Sequence, residues 1–423
     1  MKKFLSTLIL GTASFVTYQA YAAEVTILCS NSGIEMEICK NAIERWTKDT
    51  GNTAKIVPAP TSWDDMLPLY QQSFAAKSKD LDVFPLDVIW AGSLGEHLLD
   101  LTPYINKEVI DAHFPTLIKT VNIGGKLIAM PSYADTGFLF YRKDLLDAYG
   151  LTVPQTWQEL TKAAQIVQKG EREKGNSDFW GYVWQGRAYE GLTCNISEWF
   201  GSANGSIVSP TGEITVNSEQ NVKMLELASS WVGDISPKGV LNYDEESSRA
   251  VFQSGNALFH RNWSYVWALA NDKESVISAK IGVTTLPQFG ENGQHIGVNG
   301  AAYMAVSKYT DTPEASVSLM QYMTDEASQK ITSIQGGYNP TIAKLYKDEE
   351  VLKASPYLAR FTDNLSNMIS RPSDGVGNNY ARISKIVREA VHNSLSGKED
   401  AQKALDKAQK QLEATKERSK DWN

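Results

Sequence analysis

The chain has 423 residues and a formal net charge of −8 at pH 7, with 42% hydrophobic and 21% charged residues. That length exceeds one ordinary core and calls for two domains or one large bilobed body. The acidic balance argues against nucleic acid or an anionic lipid surface as partner, since both reward clustered Lys and Arg.

Met1-Lys2-Lys3 followed by the mostly apolar Phe4 to Val16 and by Ala20-Tyr21-Ala22 reads as a signal peptide over residues 1–22. The apolar run is too short and too interrupted for a membrane span, and no later segment holds roughly 18 unbroken apolar residues. The first Cys after the cleavage site is Cys29, so a lipoprotein is not expected and the mature chain should be soluble and periplasmic. Loss of Lys2 and Lys3 with the leader makes it more acidic still.

EVTILC then reads as a strand and IEMEICKNAIERWTKDTG as a helix, with Ile34, Ile38, Ala42 and Trp46 at the helical interval and Gly51 as the stop. AKIVPAP is a second strand. SWDDMLPLYQQSFAAK is a second helix whose start Pro68 should limit, and DVFPLDVIWAG is a buried strand carrying Asp87. GKLIAMPSYADTGFLFYRKDLL gives two short strands and a helix start. Helices are expected over 156–175, 218–233 and 246–275, with strands at 281–289 and in GAAYMAVS. The final helix should dock by a seam of Ala401, Leu405, Ala408 and Leu412. Strands alternating with helices indicate an α/β fold with largely parallel sheets. The lack of a low-complexity linker favours interleaved lobes over separate beads.

Enzyme signatures are absent: there is no G-x-S-x-G, no G-x-x-x-x-G-K-[ST] and no H-E-x-x-H. With 49 acidic residues, pairs suited to a glycosidase arise by coincidence, so that alternative stays open. No C-x-x-C and no suitably spaced His pair point to a metal, and no cofactor is indicated. An oxidising compartment would let Cys29 pair with Cys39, closing the first strand onto the first helix and leaving Cys194 as a buried thiol.

Three regions combine an apolar strand, aromatics and a carboxylate: LDVFPLDVIWAGSLGEHLLDLTPYI with Asp87 and Trp90, MPSYADTGFLFYRKDLL with Tyr133 and Asp135, and FQSGNALFHRNWSYVWAL. In the last, Arg261, Asn262, Trp263 and Tyr265 are expected to follow the strand. Ligands of α/β proteins sit at carboxyl ends of strands. There a carboxylate can accept sugar hydroxyls, and a Trp or Tyr can cover the ring; the 11 Trp and 18 Tyr leave faces to spare. Each residue also has a plainer reading. Asp87 can cap a turn, Trp263 can be core, and Asp135 can serve acid–base chemistry, ligand capture or local structure.

These segments, with YEGLTCNISEWFGSANG, DEESSRAVFQSGNALFHRNWSYVW, QGGYNPT and ISRPS in that order, resemble the family 1 extracellular solute-binding proteins of bacterial ABC sugar importers, and within them the trehalose/maltose-binding branch. The resemblance spans nearly the whole mature chain. It implies a two-lobed periplasmic binding protein fold, with interleaved lobes joined by hinge crossovers at Tyr133–Gly137, near Thr284–Gln288 and near Gln335–Asn339. The first lobe would take 23–134 and 289–337, the second 135–288 and 338–423. A monomer would capture an α-linked disaccharide in the cleft and pass it to permease subunits in the inner membrane.

Residue by residue, the resemblance implies that Glu35, Asp87, Asp135 and Glu245 (or its neighbour Glu246) accept hydroxyls, and that Tyr133 joins Asp135 at the crossover. Trp263 and Tyr265 would stack on sugar, Gly300 would admit backbone to the ligand, and Arg371 would donate to it. The branch commonly reads G-G-W where this chain has Gly300, Ala301 and Ala302, which leaves the choice between trehalose and another α-glucoside open. An arginine often found in the second helix of the branch also has no counterpart in SWDDMLPLYQQ. The alternatives carried forward are a secreted glycosidase or lyase, and a binding protein for glycerol 3-phosphate.

Overall fold

The computed structural model describes residues 22–30, 33–60, 63–360, 368–373, 376–420 and 422. The leader, save Ala22, lies outside the described residues.

The first sheet begins with β1 (Glu24–Cys29), whose apolar run is buried from Ile27 to Cys29. Helix α1 (Gly33–Thr50) buries Cys39, Ala42 and Trp46 on one face and stops where Gly51 takes φ +75°. Strand β2 (Thr53–Pro58) pairs parallel with β1. Helix α2 (Trp63–Ala75) contains Pro68 in its interior, not at its start. The residues Met66, Tyr70 and Phe74, one turn apart and all buried, bind this helix to the core and offset the lost backbone hydrogen bond. Strand β3 (Val83–Asp87) pairs parallel with β1, and β4 (Met130–Tyr133) ends the first pass.

The chain then crosses to a second sheet. It holds β5 (Phe138–Arg142), β6 (Trp180–Val183), β7 (Ala257–Asn262) and β8 (Ile281–Thr284) in the order β8-β5-β7-β6. Its helices are α3 (Trp157–Glu173), α4 (Glu190–Ser202), α5 (Glu219–Trp231) and α6 (Glu245–Gln253). The chain returns in β9 (Ala302–Val306), which slots between β3 and β4, so the first sheet runs β2-β1-β3-β9-β4. Helix α7 (Pro313–Thr324) covers it, and α8 (Glu326–Gly336) packs on α1 and α7. Helices α9 (Tyr380–Leu395) and α10 (Ala401–Arg418) pack back on the second sheet's helices α4 and α5. The seam of α10 is Ala401, Leu405, Ala408 and Leu412, all buried.

Three expectations are corrected. The sheets are mixed: β9 is antiparallel to β3 and β4, and β5 is antiparallel to β7 and β8. A strand entering from the other lobe need not follow the βαβ hand, so its direction is not set by the alternation of strands and helices. The helix expected over 246–275 is cut by Gly255 at φ +87° and by β7, which includes Arg261 and Asn262 and is buried throughout. The strand expected over 281–289 ends at Thr284. Beyond it Gln288 pairs with Thr156 instead.

The crossovers lie side by side. Ala134 bridges Asn339, Thr136 bridges Asn299, and the Gly300 N–H donates to the Asp135 carbonyl at 3.0 Å. Gly297–Val298 also pairs with Met368–Ile369. Asn299 and Gly300 therefore lie beside Asp135 and Thr136 of the first crossing segment. Residues 289–294 still lean on the second sheet's α4, where Phe289 and Gln294 donate to the Ser202 carbonyl.

Candidate functional site

The first lobe presents strand ends. Asp87 at the end of β3 and Tyr133 at the end of β4 are both paired with Ala302 at the start of β9. Pairing in a pleated sheet sets these three residues side by side along one edge. Asp87 does cap a turn, accepting from the Ile89 N–H at 3.2 Å. The same oxygen takes Arg371 Nη2 at 2.5 Å, and Arg371 Nη1 donates to Glu190 at 3.0 Å. Burial raises the Asp87 pKa against the pull of Arg371. Arg371 is itself buried, and its carboxylate neighbours keep it charged. Among the described residues its Nε has no partner.

Opposite stand the loops that follow β6 and β7. The Trp263 indole Nε1 donates to Glu245 at 3.3 Å, and the Tyr189 hydroxyl donates to the other Glu245 oxygen. The Arg261 guanidinium lies 4.1 Å from the Trp263 ring centre, a cation–π contact. Arg261 is anchored in turn by a fully buried ion pair with Glu198. Gly300 supplies the clearance for the ring, because a Cβ there would come within 2.6 Å of Trp263 Cζ3. Glu245 and Glu246 both open α6, which Asp244 caps through the Ser247 N–H. Glu245 meets Trp263 and Tyr189, whereas the exposed Glu246 is held by Arg249 and by the Tyr265 hydroxyl at 2.6 Å.

An aromatic group closes the β4 end. The Tyr133 and Tyr338 rings are 4.5 Å apart and the Tyr265 and Tyr338 rings 6.1 Å apart. The Tyr338 hydroxyl donates to Glu35, which sits in the first turn of α1. Cys29 and Cys39, bonded to each other, bracket the segment that carries Glu35. Cys194 is free and buried.

Asp135 is placed differently from the rest. It is 2% exposed, accepts from the Thr136 and Ser264 N–H groups at 2.8 and 3.1 Å, and accepts from Ser264 Oγ at 3.0 Å. Burial drives its pKa up to about 7, with those donors pulling the other way. It ties the first crossover to the loop that carries Trp263 and Tyr265.

The structure thus gathers Asp87, Tyr133, Glu245, Trp263, Tyr265, Gly300, Arg371 and Glu35 around the junction of the lobes. It adds residues to which the sequence reading gave no role. Glu190, at the start of α4, accepts from Arg371, Tyr380 and Ser384. Tyr189 and Tyr338 join Glu245 and Glu35. The available signal was the one-turn spacing of Tyr380, Ser384 and Arg388 in α9, a polar stripe beside the buried Ile383, Val387 and Val391. Ala301 and Ala302 are both buried.

Residues 31–330 match the family model of the bacterial extracellular solute-binding proteins. The chain belongs to this family. A probable ABC transporter-binding protein of Deinococcus radiodurans is 42% identical, with 99% of this chain and 100% of the relative aligned. A maltodextrin-binding protein of Bacillus subtilis is 26% identical over 67% of this chain and 65% of its own length. Among solved structures, a maltose-bound protein of T. maritima, MalE3, superposes with a TM-score of 0.88 at 31% identity, covering 93% of this chain and 100% of that one. The fold is therefore that of the two-lobed solute-binding proteins, and the chain is the substrate-binding component of an ABC transporter. Members of this family are not enzymes and work with membrane permease components. Among the described residues no helix is long and apolar enough to cross a membrane.

Proposed function

We propose that this solute-binding protein captures a short α-linked sugar, a disaccharide such as trehalose, maltose or sucrose, between its lobes. On this reading it acts as a periplasmic monomer and releases the sugar unaltered to its permease. The carrying observation is that aromatic faces and charged hydrogen-bonding groups from both sheets meet at one junction. Tyr133 and Asp87 come from the first, and Trp263, Tyr265 and Glu245 from the second. The maltose-bound relative and the maltodextrin-binding relative support the same ligand class.

In this account Trp263 and Tyr265 stack on the sugar, while Asp87, Glu35 and Glu245 accept its hydroxyls. The Nε of Arg371, without a partner among the described residues, is a buried donor suited to a ring or hydroxyl oxygen. Asp135 acts through the hinge, holding the Trp263–Tyr265 loop against the crossover. A sugar touching both lobes binds the closed state more tightly and shifts the population toward it.

The rival chemistry fits less well. Asp135, with its pKa near 7, has the proton affinity of a general acid, but it is buried and bonded to Ser264. For glycerol 3-phosphate the cleft would need unmatched positive charge, yet Arg371 is matched by both Asp87 and Glu190. The test is calorimetric titration with trehalose, maltose, sucrose and glycerol 3-phosphate, followed by analysis of the recovered sugar. Saturable binding of a disaccharide recovered intact is expected. Hydrolysis, or a preference for the phosphate, would overturn the proposal.

A further inference from the structure

Beyond Arg371 the lobes meet again, through charge. The first sheet ends at edge strand β2, from which the chain passes into α2 and its first-turn Asp64. Facing it are Glu190 and the stripe on α9. Tyr380 and Ser384 donate to Glu190, with Ser384 at 2.6 Å. Arg388 Nη1 stands 3.7 Å from Glu190 and 3.5 Å from Asp64. Burial raises the Asp64 pKa, while Arg388, the Glu190 N–H and Arg187 favour its charged form and the Glu190 carboxylate opposes it. The side chains of Asp64 and Arg388 are 31% and 19% exposed, so the pair is partly open to solvent.

We propose that the Asp64–Arg388 pair is a size stop that limits the bound sugar to a short one; this rests on the sugar-binding reading. Length decides which sugar fits. Tyr133 and Asp87 are separated by the single strand β9, so roughly 10 Å of sheet edge lies between them. That span suits two pyranose rings. One end is closed by Tyr133, Tyr338 and Glu35. A longer glycan has to continue past Asp87 toward the start of α2, which lies beside the turn after β3 with the Trp63 and Trp90 rings 5.5 Å apart. There it meets a cross-lobe ion pair backed by Glu190, and threading between the partners separates two half-buried opposite charges. The stop therefore acts against long ligands by a repulsive element and not by a missing contact.

The experiment titrates trehalose, maltose, maltotriose and maltotetraose into the purified protein and into Asp64→Ala and Arg388→Ala, with melting curves to confirm folding. The wild type should bind its tighter disaccharide at least about tenfold more strongly than maltotetraose, and Asp64→Ala should narrow that ratio by about tenfold. Arg388→Ala should do the same. Should the loss of a Glu190 partner unfold Arg388→Ala, Asp64→Ala decides alone. An unchanged ratio in the folded variant, or a wild type that takes maltotetraose as tightly as its disaccharide, overturns the size stop and leaves the sugar reading standing. Failure of the wild type to bind any of the four sugars, or sucrose titrated beside them, overturns the sugar reading itself, and the size stop with it.

Discussion

Arg371 holds Asp87 at 2.5 Å with one terminal nitrogen while the other reaches Glu190 at 3.0 Å. A residue near the end of the chain thereby joins a strand end of the first lobe to a helix start of the second. Arg371→Ala leaves two carboxylates without their counter-charge. Chemical denaturation should show a loss of about 3–5 kcal/mol, the usual result of breaking a buried pair on one side. Arg371→Lys keeps the charge but loses the fork, so it should be milder in stability and still weakened in sugar affinity.

Trp263 tests the stacking role. Trp263→Ala should weaken disaccharide binding by about 1–3 kcal/mol, in the range of an interface hot spot, with a smaller change in melting temperature. Unchanged affinity in the folded variant would assign Trp263 to packing on Arg261 alone.

Gly300 tests the clearance beneath that ring. In Gly300→Ala the new methyl sits 2.6 Å from Trp263 Cζ3, so the indole must shift. Overpacking of this kind should cost about 1–3 kcal/mol of stability, and calorimetry should show weaker sugar binding as well.

Asp135 gives a pH signature. Its folded pKa is about 7, above the 3.8 of an ordinary Asp carboxyl, so between those values the folded state binds more protons than the unfolded one. Stability contributed by this group is therefore fullest below pH 4 and is lost as pH rises through 7. His113 works in the opposite sense, since burial lowers its pKa to about 4 and favours the fold as pH rises from there toward 6.5. Measured against Asp135→Asn, which cancels the histidine contribution, the wild type should lose relative stability from pH 4 to pH 7. A flat difference would mean that Asp135 titrates normally.

The bonded cysteines predict a thiol count. Denatured, unreduced protein should react at Cys194 only, one thiol per chain. Three reactive thiols would contradict the Cys29–Cys39 bond.

Much of the candidate site was legible because its residues sit beside strong local patterns. Asp87 ends a buried apolar strand, Tyr133 precedes a second one, and Trp263 follows a third. The mixed direction of the sheets was not legible, since strand order depends on which distant segment β9 slots between. Glu190 and Tyr338 escaped notice for a related reason. Their partners, Arg371 and Glu35, are 181 and 303 positions away, so no window of sequence shows them as pairs. Asp135 was visible as a carboxylate out of place, but its bonds to Ser264 needed the fold.

The central claim is that the junction of the lobes is a sugar site without turnover. Calorimetric titration of the purified protein with trehalose, maltose and sucrose tests it most directly. The account predicts saturable one-to-one binding, with the sugar recovered unchanged after prolonged incubation. Absence of binding to all three sugars, or the appearance of glucose, would contradict it.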